Sequence, residues 1–123
     1  MNNNTELIVI LLENIKDPKG NRYQVRSYQQ GEKLTKPSIR YRLQDTDCTQ
    51  CLTGVELYSE TYVVDLFARN IQDSLDQKNA LIKHVSLYSL EGVTIQSIYS
   101  NQDPETDGTI IHHTVVTIKI QGN

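Results

Sequence analysis

The segment Tyr62-Val-Val-Asp-Leu-Phe-Ala-Arg69 most constrains what this chain can fold into. Tyr62, Val64, Leu66 and Ala68 alternate onto one face of a strand, and Val63 and Phe67 make the opposite face apolar too. A strand apolar on both sides belongs in the middle of a sheet, covered twice. Asn70 follows directly, a residue suited to cap a helix N-terminus, with Asp73 in the first turn to favour the helix dipole. The spacing predicts a helix from Asn70 to about Tyr88, with Ile71, Leu75, Ile82 and Val85 as its buried stripe. Glu91-Gly92 ends that element.

The rest of the chain is arranged around this unit. A first helix is expected from about Thr5 to Lys16, with Ile8, Leu11, Leu12 and Ile15 as its stripe. Leu7, Val9 and Ile10 widen that stripe, and Asp17-Pro18-Lys19-Gly20 stops it. Arg22 to Tyr28 reads as a weak strand, and Gln29 to Pro37 as a polar, Lys-rich loop. Ile39, Tyr41 and Leu43 then alternate with Arg40, Arg42 and Gln44, a strand read as apolar inward and basic outward. Turn residues fill Asp45 to Gly54, ahead of a long strand from Val55 to Arg69. Val93 to Ser100 and Thr109 to Ile120 form a hairpin around the acidic loop Asn101 to Gly108. The order α-β-β-β-α-β-β with hairpin-like connections predicts one α+β domain over residues 1–123. It would be a mostly antiparallel sheet with both helices packed on one face.

Charge is unevenly spread. Lys16 to Arg42 holds eight basic residues against Asp17 and Glu32, whereas Leu43 to Asn123 holds four against eleven acidic ones. With a total of −3, nothing points to a nucleic-acid binder. The two-sided distribution suits head-to-tail contact between copies, with Lys33, Lys36, Arg40 and Arg42 as the expected subunit or partner interface. The longest apolar run, Leu7 to Leu12, is far too short to span a bilayer, and no secretory pattern opens the chain. A soluble protein made in a cytoplasm, with reduced cysteines, is expected.

No constellation for chemistry emerges. Cys48-Thr-Gln-Cys51 falls in a predicted turn with no helix behind it to lower a thiol pKa, and no second CxxC supplies the other ligands of a structural zinc. Asp103-Pro-Glu105-Thr-Asp107-Gly108 resembles the start of an EF-hand loop, but Thr114 stands where a bidentate Glu is needed. His112 and His113 are strand neighbours on opposite faces and cannot share a metal, and His84 sits beside a helix stripe. A non-enzyme without cofactor or metal is expected.

Pro37-Ser-Ile-Arg-Tyr-Arg-Leu43, the Val-x-Leu-Phe-Ala-Arg-Asn run entering a helix, Gly92-Val-Thr-Ile95 and the closing Thr114-Val-Val-Thr-Ile-Lys-Ile120 follow an apolar N-terminal helix. In that order they resemble the tail-terminator, or tail-completion, family of long-tailed bacteriophages and prophages. The Cys48–Cys51 turn and the Gln29–Lys36 loop depart from that pattern. The resemblance implies a structural virion protein of the tail-neck region. Copies would form a ring, usually hexameric, on the finished tail tube protein, stop its polymerisation and offer a surface to the head–tail connector. Genome DNA would pass through without specific binding, so a neutral or acidic pore is expected, with Asp103, Glu105 and Asp107 at the pore or its rim. Alternatives are another neck or head-completion subunit, a small CxxC metal or thiol protein, and a host interaction module.

Overall fold

The computed structural model describes residues 4–27, 38–50, 56–104 and 110–122. The apolar segment Tyr62–Ala68 lies in β3 (Glu56–Ala68), the third of five strands in the order β1-β2-β3-β5-β4. The other strands are β1 (Gln24–Ser27), β2 (Ser38–Gln50), β4 (Val93–Pro104) and β5 (Ile110–Gly122). The helices are α1 (Asn4–Glu13) and α2 (Ile71–Ser86). The fold is α+β in the order α-β-β-β-α-β-β, with a mixed, mostly antiparallel sheet. Its one parallel step is β1 beside β2.

Both helices close one face of the sheet. Ile8, Leu11, Leu12 and Ile15 are all at most 1% exposed, and share one core with Ile39, Val64, Leu66, Val116 and Ile118. Burying a Leu or Ile side chain is worth about 1.5–3 kcal/mol, so this layer dominates stability. Ile10 faces away at 52% exposure. The chain leaves α1 through a turn in which Asp17 Oδ1 accepts hydrogen bonds from the Lys19 and Asn21 amides, both at 2.9 Å. Asn70 caps α2 as expected, its Oδ1 accepting from the Asp73 amide at 2.8 Å.

Three expectations need correcting. First, β2 does not stop at Gln44: it continues through Asp45–Gln50, paired with Glu56–Thr61 of β3 after a bulge between Leu43 and Asp45. The turn-forming side chains are overridden by a partner strand that supplies ladder hydrogen bonds. Likewise, β4 runs beyond Ser100 to Pro104, opposite Ile110 to Thr114, so the strands take in part of the predicted acidic loop.

Second, Arg40 is 3% exposed rather than solvated. It lies on the sheet face away from the helices, beside Asp65 in the register, and that face also buries Val63 and Phe67.

Third, the buried stripe of α2 is Ser74, Gln77, Leu81 and Val85. Of the predicted stripe only Val85 is buried, while Ile71, Leu75 and Ile82 are 62%, 39% and 37% exposed. The helix turns its more polar stripe inward. Ser74 Oγ lies 3.4 Å from Thr114 Oγ1, which meets Ser100 Oγ at 3.1 Å, and Gln77 Nε2 donates to the Ser38 carbonyl at 3.3 Å. Those contacts tie α2 to β2, β4 and β5 and offset the desolvation of the polar groups.

Candidate functional site

Two surfaces concentrate unusual residues, and sequence reasoning reached neither. The first is the helix-free sheet face. Its centre is Asp65, 2% exposed, in the register between Arg40 of β2 and Val115 of β5. A lone carboxylate there would be costly without partners. His113 Nε2 lies 2.7 Å from Asp65 Oδ1, close enough that the nitrogen donates its proton to the carboxylate. Arg42 Nε stands 3.7 Å from Oδ2, which accepts no hydrogen bond and is therefore met by a Coulombic contact alone. Phe67 stacks on the His113 ring at 4.4 Å between centroids and 15° between planes.

An Asp–His pair orients an imidazole as hydrolytic triads do, but that chemistry needs a hydroxyl or thiol beside the second ring nitrogen. Ser38, buried with its Oγ unpartnered, shares the row through Phe67 but stands two strands from His113. Two strand spacings are about 10 Å, beyond a single hydrogen bond. Among the described residues, the arrangement pins β2, β3 and β5 together.

The second surface is one flank of α2, where Ile71, Leu75 and Ile82 recur at helical spacing. Leu87 at 73% and Leu90 at 100% exposure follow the end of the helix. A cleft of about 560 Å³ borders its N-terminal half, lined by Asp17, Arg22, Tyr23, Asp73 and Asp76 among others. Burial, then the charges of Asp17, Asp76 and Asp73, push the Tyr23 hydroxyl from its ordinary 10.0 up to about 12. Because the folded value exceeds the unfolded one, the phenol's contribution to stability is whole below pH 10 and disappears as pH rises through about 12. Tyr23→Phe should therefore show a smaller loss of stability between those values in alkaline denaturant titrations, and one tyrosinate absorbance transition near pH 12 should vanish.

The residues singled out from sequence are scattered. Arg40 is buried, its Nη1 donating to the Ile39 carbonyl at 3.2 Å, and Arg42 is engaged with Asp65. Lys33, Lys36, Glu105, Asp107 and Cys51 lie outside the described residues. Asp103 sits in β4 opposite Ile111. Cys48 lies within β2 opposite Tyr58 rather than in a turn. His84 packs near Tyr88, and burial lowers its pKa. His112 and His113 do diverge, as strand neighbours must, but His113 has a partner that sequence reading did not foresee. Among the described residues, no three His, Cys, Asp or Glu side chains gather as metal ligands, and no helix is long and apolar enough to cross a membrane. No protein-family model matches the chain, and no curated protein matches it either.

Proposed function

We propose that this chain is a structural subunit of a long-tailed phage tail, a terminator that caps the tail tube as a ring and presents the head-joining surface. The observation that carries the reading is the outward apolar stripe of α2. A helix that buries Ser74 and Gln77 while exposing Ile71, Leu75 and Ile82 carries an apolar flank that another polypeptide could cover. Support also comes from the element order, which is the one the tail-terminator resemblance implies. The partners of this reading are further copies of the chain, six in a ring as in the family it resembles, the tube protein below and the connector above.

In this reading the protein works by fit, in the virion neck, after assembly in the host cytoplasm. The negative charges of Asp103, Glu105 and Asp107 would, on this reading, repel the phosphates of the passing genome. Arg42, committed to Asp65, does not compete for that DNA. A second structural reading, a head-completion or neck connector, places the same stripe against a filled head instead. Purified protein mixed separately with tail tubes and with filled heads separates the two. Binding to tube ends alone is expected; binding to heads alone would replace the terminator with the connector.

A further inference from the structure

We infer that the seam between α2 and the segment leaving α1 is a docking groove for an extended stretch of a partner polypeptide. That stretch carries an apolar side chain beside a carboxylate at one end and a basic side chain at the other. The inference goes beyond the tail reading and holds without it.

Two clefts follow one another along this seam. A cleft of about 230 Å³ lies at the C-terminal end of α2, lined by Ile15, Lys16, Ala80, Lys83, His84 and Leu87 among others. The larger cleft of about 560 Å³ lies beside the first turns of the same helix. Lys16 of the smaller cleft directly precedes Asp17 of the larger one, and Ala80 stands about one helical turn beyond Asp76. Asp73, Asp76, Ala80, Lys83 and Leu87 recur at three- and four-residue steps, so α2 turns one face to the whole seam. That face is distinct from the flank bearing Ile71, Leu75 and Ile82.

Charge reverses along the groove. Among the described residues no acid lines the smaller cleft, and neither Lys16 nor Lys83 has an ion-pair partner. Between the two lysines lie buried Ile15 and half-buried Ala80, and Leu87 adds apolar surface that is 73% exposed. An aliphatic side chain next to a carboxylate is the chemistry that matches this end.

The larger cleft has the opposite sign, with Asp17, Asp73 and Asp76 against Lys19 and Arg22. The Tyr23 phenol inside it senses the acids: beyond burial, the charges acting on it are those of Asp17, Asp76 and Asp73. A Lys or Arg side chain is matched here.

The spacing calls for a peptide. Asp76 and Asp73 precede Lys83 by seven and ten residues, about 10 and 15 Å along the axis. An extended chain covers that distance in roughly three to five residues.

The test titrates the labelled full chain with the capped hexapeptide Lys-Thr-Ser-Thr-Glu-Leu and follows backbone amides by NMR. Shifts confined to the seam, at Asp76, Ala80, Lys83 and Leu87, are expected. Replacing both peptide charges with Gln, or the peptide Lys alone, should weaken binding. Lys16→Glu/Lys83→Glu should weaken it about tenfold with an unchanged circular-dichroism spectrum, as expected for reversing two exposed charge pairs. Lys83→Gln takes its place should that variant fail to fold. Asp76→Lys/Lys83→Glu should instead prefer the peptide with Lys and Glu exchanged. No shifts with the charged peptide, shifts elsewhere, equal binding of the Gln peptides, or an unswitched preference in the exchanged variant would each overturn the groove. None of these outcomes bears on tube capping, so the terminator reading stands or falls separately.

Discussion

The triple variant Ile71→Gln/Leu75→Gln/Ile82→Gln is expected to fold with a melting temperature within a few degrees of the wild type and, on the terminator reading, to lose most of its tube capping. The three side chains are partly exposed and contribute little to the core beneath α2. Glutamine is also at least as good a helix former as isoleucine. Surface changes of this kind usually alter stability by under about 0.5 kcal/mol each. On the terminator reading the assembled tail covers the part of each side chain still exposed, worth about 1 kcal/mol per residue. Three together weaken capping by roughly two orders of magnitude. Titrating variant and wild type against purified tubes, alongside thermal melts, checks both halves. Unaltered capping would remove the α2 face from the interface.

Gly92→Val lies at the other extreme and acts on the fold itself. Gly92 adopts φ of +83°, a conformation costing a side-chain-bearing residue about 1–2 kcal/mol. A Cβ at this position would also collide with the Gln121 carbonyl oxygen of β5. That oxygen belongs to backbone held in place, because the Gln121 amide donates to the Gly92 carbonyl at 2.9 Å. Relief would require breaking the junction where the turn after α2 enters β4, next to buried Val93 and Ile120. The expected loss is at least about 3 kcal/mol, seen as a fall of roughly 10 °C in melting temperature. Gly92→Ala should lose less, but still more than Gly20→Ala. Gly20 has a similar φ of +86° and open space around it, so it carries the conformational cost without the collision.

The fold was largely legible because its signals are local. Alternation marked β3 and β5, the α1 stripe at Ile8, Leu11, Leu12 and Ile15 has one buried side, and Asn70 announces α2 with a cap. The α2 stripe was misread for a physical reason. Ile71, Leu75 and Ile82 mark one flank, Leu81 and Val85 the adjoining one, and periodicity cannot say which of the two faces the sheet. Thr114 of β5, the Ser38 carbonyl of β2 and Ser100 of β4 decide it by giving Ser74 and Gln77 a polar seam, directly or through Thr114. The far half of β2 was hidden because Asp45, Thr46 and Asp47 favour turns locally, and only the pairing with β3 makes them a strand.

The Asp65–His113 pair was out of reach for a different cause. The two residues are 48 positions apart and meet only through the register of β3 against β5. One signal was present: an acid set among Val63, Val64, Leu66 and Phe67 in the most apolar strand must find a partner. Arg40 was misplaced by the same reasoning gap, since alternation gives the face of a residue and not whether that face is covered.

The central claim is that the protein acts by covering other polypeptides rather than by transforming a substrate. Electron microscopy of tails assembled in cells that lack this chain tests it most directly. Tubes of uncontrolled length with no heads attached are expected. Tails of normal length joined to heads would contradict it.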